Sequence, residues 1–242
     1  MNRQLDSWHS PALNKQMPIV TYGHYGFSLL LVPTAAADYL EYERFQMLDC
    51  LKEMVDGGKM RVFSIDSINN ESWLNNQIPA EYKAERHEQW NDYIYNEVIP
   101  YIKKVSSPDA PIILAGASFG ALHSMNLFLR RPDLIQGVIA MSGVYNLMEY
   151  TKGFYNDKVY FNSPAHYLPN LEDHSLLEKI RAGKIILATG SGAYEDPNAS
   201  HQFGGILNSK SIPHELSIWG QEWKHDWPTW RKILPYFLAE RF

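Results

Sequence analysis

Residues 111–125 read PIILAGASFGALHSM, and the parsing of this stretch decides the fold. Pro111 to Ala115 is an aliphatic run of the kind found in a strand buried on both faces. The pentapeptide Gly116-Ala117-Ser118-Phe119-Gly120 follows, and beyond it Ala121, Leu122, Met125, Phe128 and Leu129 share one helical face. The order is strand, sharp turn, helix, with a serine at the turn. G-x-S-x-G in that setting describes an elbow whose flanking residues must be small, because the strand and helix backbones pass close together. The helix N-terminus then directs free N–H groups toward the place where a negative oxygen would form. A serine that only caps the helix is the alternative reading of the same residues.

Working outward, short apolar runs alternate with longer amphipathic segments, the pattern of an α/β fold with a mostly parallel central sheet flanked by helices. Strands are predicted at Pro18 to Tyr22, Phe27 to Val32, Met60 to Ile65, Pro111 to Ala115, Gly137 to Met141, Ile185 to Thr189 and Glu215 to Trp219. Only GHYG separates the first two, which predicts an antiparallel hairpin. Helices are expected over Tyr39 to Val55, Ala80 to Val105, Phe119 to Arg131, Leu176 to Arg181, Ala199 to Lys210 and Pro228 to Glu240. Residues 146–173, rich in Tyr, Asn and Pro, read as a cover inserted over the sheet within one domain spanning residues 1–242.

A serine hydroxyl needs a base at neutral pH. Of the nine histidines, His225 stands where the chain order of such sites requires it, on a polar loop between the last strand and a helix introduced by Pro228. His201 falls in a helical segment, and His214 immediately precedes the final strand. A carboxylate should follow the strand KIILAT, and SGAYEDPNAS offers two. Spacing from Gly192 selects Glu195, whereas residue type and side-chain length favour Asp196, the preferred choice; Asp196 could instead cap a helix with Pro197 at its first position. The expected oxyanion donors are the N–H of Phe119 and one from the loop PTAAAD, with Ala35 chosen ahead of Thr34 and Ala36. Asp66 is expected to anchor the loop SINNESW, and Asp226 to stabilise its own loop rather than to act as the acid. Of Trp73, Trp219, Trp223, Trp227 and Trp230, at least half are expected in the core.

Bulk properties exclude several functional classes. The chain has 242 residues and a net charge of −5, with Lys and Arg dispersed, which leaves no electrostatic footprint for nucleic acid or an anionic membrane. Cys50 is the only cysteine, so an intrachain disulfide and a thiolate metal cluster are both ruled out. No zinc-protease helix or phosphate-cradling glycine loop is present, and neither a metal nor a cofactor is expected. The N-terminus lacks the apolar core of a signal sequence, and the expectation is a cytoplasmic protein that does not enter membranes.

The segments YGHYGFSLLLVPT, FSIDSINNESW, AGASFGALHSM, RRPDLIQGVIAMSG and IPHELSIWGQEWKHDWPTWR together resemble the Putative esterase family of α/β-hydrolases, the group related to esterase D, S-formylglutathione hydrolase and the antigen 85 acyltransferases. The resemblance implies an α/β-hydrolase fold, Ser118 as nucleophile, His225 as base and an acid within the Glu195/Asp196 pair. The expected activity is hydrolysis of short-chain or aromatic carboxylic esters, small molecules, through an acyl-serine. Acyl transfer to an acceptor other than water, or a silent hydrolase-fold binding module, are the alternatives. Tyr155 and Phe161, in the cover segment, are expected to touch substrate.

Overall fold

Leu29, Leu30, Leu31 and Val32 are all fully buried, and a strand apolar on both faces is stable only in the middle of a sheet covered on both sides. The computed structural model, which describes residues 1–242, puts them there. The strands are β1 (Arg3–Ser10), β2 (Lys15–Tyr22), β3 (Phe27–Val32), β4 (Met60–Ile65), β5 (Ile112–Ala117), β6 (Gly137–Met141), β7 (Lys184–Thr189) and β8 (Glu215–Ile218). They form one eight-stranded sheet in the order β1-β2-β4-β3-β5-β6-β7-β8. The pairs β1–β2 and β2–β4 are antiparallel and the rest are parallel. This is the mostly parallel α/β arrangement expected from the sequence.

The helices are α1 (Glu41–Arg44), α2 (Met47–Asp56), α3 (Ala80–Tyr93), α4 (Ile99–Val105), α5 (Phe119–Arg130), α6 (Met148–Thr151), α7 (Asp157–Phe161), α8 (Pro164–Tyr167), α9 (His174–Ala182), α10 (Pro197–Ser209) and α11 (Trp227–Arg241). Alternate residues of the central strands feed two cores. Leu30, Val32 and Leu114 pack with residues of α3, α4, α5, α9 and α10. Leu29, Leu31 and Ile113 pack on the opposite face with α2 and α11. No helix is long and apolar enough to cross a membrane.

Two local expectations are corrected, and one strand is added. The first two predicted strands, β2 and β3, are not a hairpin, because β4 lies between them. The GHYG loop passes across the start of β4 so closely that a Cβ on Gly26 would sit 2.2 Å from the Lys59 carbonyl oxygen. Gly23 and Gly26 both have positive φ, a conformation and a proximity that side chains do not tolerate. The true hairpin partner of β2 is β1, paired in register from Arg3↔Tyr22 to Ser10↔Lys15. β1 escapes pattern reading because it is a largely exposed edge strand, held by backbone hydrogen bonds rather than by an apolar face. The predicted helix over Tyr39 to Val55 breaks at Gln46, which is left-handed (φ 61°). The segment over Ala80 to Val105 instead stays helical through a π-turn at Ile94–Val98, which accommodates the missing N–H of Pro100.

Candidate active site

Ser118 sits between β5 and α5 with φ 56° and ψ −120°, outside the regions a serine ordinarily adopts. Such strain costs about 1–3 kcal/mol and persists only where the surroundings over-determine it. Here its N–H donates to the Met141 carbonyl (2.9 Å), and α5 is buried from Phe119 to Leu129. Both glycines of the motif are required by contact. A Cβ on Gly116 would lie 2.3 Å from the Gly120 carbonyl oxygen, and one on Gly120 would lie 2.5 Å from that of Pro33. The second contact also shows that the loop after β3 lies against the elbow. Gly120→Ala is therefore expected to cost at least about 1–3 kcal/mol through overpacking. An unchanged denaturation midpoint and unchanged turnover would show that this loop does not press on the elbow.

The loops after β7 and β8, which leave the same end of the parallel strands as the elbow, are stitched together. Gly192 N–H donates to Trp223 O (2.9 Å) and His225 N–H to Ala193 O (3.1 Å). A Cβ on Gly190 would fall 2.1 Å from Trp223 O. This closeness brings His225 Nδ1 to 3.0 Å from Glu195 Oε2. The Glu195 side chain is wholly buried, while that of His225 keeps 26% of its exposure. Asp196, the acid preferred from sequence, points elsewhere: it caps α10, accepting from Asn198 N–H at 3.1 Å. The two neighbours part because Tyr194 adopts φ 65° and turns Glu195 inward, while Pro197 starts the helix immediately after Asp196.

Hydrogen-bond directions around Glu195 assign the His225 tautomer. Trp230 Nε1 can only donate, and it does so to Ser142 Oγ (2.9 Å). The Ser142 proton is thereby directed to Glu195 Oε1 (2.6 Å), which also accepts from Gly190 N–H (3.2 Å). Thr189 Oγ1 lies 3.2 Å from Oε2. Surrounded by donors, Glu195 serves as an acceptor-only carboxylate, so His225 presents Nδ1–H to it and leaves Nε2 bare to take a proton. Ser142, at the end of β6 with φ 49°, is a member of this cluster that the sequence reading missed; its only signal there is a small residue ending a strand.

Of the backbone donors, the N–H groups of Phe119, Ala35 and Ala36 make no hydrogen bond to another group of the protein. Thr34 is removed from consideration, since its N–H donates to Glu41 (2.9 Å). Asp66 accepts from Tyr39 N–H (2.8 Å) and so anchors the loop after β3 rather than its own. Asp226 caps α11, and Trp73, Trp227 and Trp230 are buried.

The sequence profile of the family described as Putative esterase matches residues 54–239. The chain belongs to this family. Solved structures with the same fold include a ferulic acid esterase, at TM-score 0.78 and 18% identity over 100% of this chain and 99% of that one. The S-formylglutathione hydrolase of Staphylococcus aureus aligns with TM-score 0.69 and 16% identity over 98% and 97% of the two chains. MPT51 of Mycobacterium tuberculosis gives 0.72 and 14% over 99% and 97%. No curated protein sequence matches significantly.

The esterase carries a cavity of about 230 Å³ between the segment after β6 and helix α10, lined among others by Tyr145, Asn146, Glu149, Tyr150, Asp196 and Phe203. Tyr150 packs edge-on against Phe119, with ring centroids 4.7 Å apart, which links the cavity to the elbow. A larger cavity of about 350 Å³ opens at the other end of the parallel strands, near Lys184 and Glu215, remote from Ser118. Tyr155 and Phe161 line neither. Tyr155 is exposed, with its hydroxyl 2.9 Å from His166 Nδ1. Phe161 is exposed on α7 and leans on Tyr160 and Tyr167. Of the aromatics after β6, Tyr145 and Tyr150 face the cavity beside the elbow, and Tyr155 and Phe161 do not.

Proposed function

We propose that this esterase is a serine carboxylesterase that cleaves short-chain or aromatic esters through an acyl-serine. The observation that carries the reading is the buried Glu195 carboxylate fixing His225 with a bare Nε2, on the same sheet edge as a strained Ser118. Ser118 Oγ attacks the ester carbonyl while His225 Nε2 takes its proton. The tetrahedral oxygen accepts from Phe119 N–H and Ala35 N–H, and the positive end of α5 adds to its stabilisation. The alkoxide leaves with the proton returned by His225, and water repeats the cycle on the acyl-serine. No metal or cofactor enters this scheme. Small esters in solution are the substrates, and a single protein chain carries every group used.

The cavity beside the elbow supports the substrate class. Its 230 Å³ falls below the roughly 300–1,000 Å³ of sites that enclose drug-sized ligands. Tyr145, Tyr150 and Phe203 offer ring faces, and Asn146 and Glu149 offer polar ends. Against p-nitrophenyl acetate, butyrate, octanoate and palmitate, kcat/KM is expected to peak at acetate or butyrate. Tyr150→Ala should shift the optimum toward longer chains, whereas Tyr155→Ala and Phe161→Ala should leave the profile unchanged. A maximum at palmitate would sink the compact-pocket reading.

A further inference from the structure

Two buried histidines, His87 on α3 and His123 on α5, take no part in the chemistry above. Both belong to a continuous chain of hydrogen bonds. Trp73 Nε1 lies 2.9 Å from His87 Nδ1, and His87 Nε2 lies 3.1 Å from His123 Nδ1. His123 Nε2 lies 3.0 Å from Asn69 Oδ1, and Asn69 Nδ2 lies 2.6 Å from the carbonyl oxygen of Ala35. All four side chains are buried.

The direction of every link follows from its first member. An indole N–H only donates, so His87 Nδ1 accepts, and a neutral ring must then carry its proton on Nε2. That proton goes to His123 Nδ1, which leaves the His123 proton on Nε2, facing Asn69 Oδ1. The amide is thereby oriented with its NH₂ toward Ala35 O. Burial pushes His87 down to about 3 and His123 well below its ordinary value, so both rings hold the neutral form that the chain requires.

The relay ends on the loop that carries the oxyanion donor. Ser67 Oγ also donates to Ala35 O (3.1 Å). On the other side, Thr34 is held through both its N–H and its hydroxyl by Glu41. The Thr34–Ala35 peptide, which bears the Ala35 N–H, therefore lies between two clamped groups. The Ala36 N–H stands at the far end of the same peptide unit whose oxygen the relay grips. Two imidazoles and an amide buried among Trp90, Phe119 and Leu122 incur a desolvation cost that apolar residues would avoid. A positioning role accounts for their presence, and mere packing does not.

We propose that Trp73, His87, His123 and Asn69 are positioning residues that aim the backbone N–H of the Ala35 loop at the tetrahedral oxygen. The proposal rests on the reading of that loop as half of the oxyanion hole. It is tested with p-nitrophenyl acetate turnover, inhibition by a trifluoromethyl ketone, fluorophosphonate labelling of Ser118 and thermal melting, on wild type, His123→Leu, His123→Gln and Asn69→Asp. Gln can place an N–H near the position of the histidine Nε2 and keep Asn69 oriented. Leu cannot, and Asp at 69 sets oxygen against the Ala35 carbonyl. His123→Leu and Asn69→Asp should lose kcat by about 10- to 100-fold, less than the roughly 10²- to 10³-fold that follows removal of a whole donor. KM should hold within about threefold, ketone affinity should fall in parallel with kcat, and His123→Gln should recover most of the loss. Equal kcat in the Leu and Gln variants, or wild-type kcat and ketone affinity in Asn69→Asp while Ser118 still labels, would overturn the relay and leave the nucleophile reading standing. Absence of label on Ser118 in active wild-type protein would overturn both. Should His123→Leu fail to fold, Asn69→Asp decides alone, since it leaves the histidine pair intact.

Discussion

Ser118→Ala is expected to lower kcat for p-nitrophenyl acetate by roughly 10⁴- to 10⁶-fold, and His225→Ala by a similar factor, because members of one catalytic unit fail together. The double variant should be little worse than either single one, for the same reason. Residual rate over water would come from Phe119 N–H and the Ala35 loop, which neither substitution touches. Stability supplies an independent readout. Ser118 is held at φ 56°, so Ser118→Gly should be inactive yet melt at a higher temperature, as a strain of about 1–3 kcal/mol is released. A folded Ser118→Ala protein that retains even a tenth of wild-type turnover would remove Ser118 from the mechanism.

Glu195→Gln should lower kcat by on the order of 10³- to 10⁴-fold, while Asp196→Asn changes it by less than about twofold. The Gln variant places an NH₂ where Ser142 Oγ, Gly190 N–H and His225 Nδ1 all approach an acceptor. At least one donor then faces a donor, and the imidazole is driven toward the tautomer whose proton sits on Nε2, where it cannot serve as base. Some loss of stability, about 1–3 kcal/mol, should accompany this because the side chain is fully buried. Turnover must therefore be normalised to folded protein. At Asp196, Asn caps a helix as well as Asp does, whereas Asp196→Ala should cost about 1 kcal/mol and, since the residue also lines the cavity, act on KM rather than on kcat. Should Glu195→Gln keep kcat within tenfold of wild type, His225 is oriented by something else, and the role of the carboxylate is only to hold the loop.

The elbow was legible because its constraints are local. Gly116 and Gly120 are demanded by backbones that meet within the same few residues, and the aliphatic run before them and the apolar helix after them carry their own periodicity. His225 was legible through chain order, since a parallel sheet wound in one direction places successive loops at the same edge. The order of β2, β4 and β3 was not. GHYG suits a tight hairpin as well as a hop across β4, and only the pairing of β4 with both β2 and β3 tells them apart. β1 was invisible to hydrophobic patterning because what holds it is backbone pairing, which any sequence can supply.

Between Glu195 and Asp196, adjacent and chemically alike, the sequence pointed both ways: spacing from Gly192 selected Glu195, the one that meets His225, while residue type and side-chain length favoured Asp196. The decision came from the left-handed turn at Tyr194, from the donors of Thr189 and Gly190 at the end of β7, and from Ser142, 53 positions away in the chain. The relay is the extreme case. His87 and His123 are separated by 36 positions and look, singly, like ordinary helix residues. What this chain determines by its order of residues is the parallel sheet, the strained serine and the histidine after the last strand, because periodicity and close backbone approach are written locally. Which carboxylate meets His225, how the hydrogen bonds around it run and what holds the Ala35 loop were decided only by tertiary structure, because a hydrogen bond acquires its direction from the partner that packing brings to it.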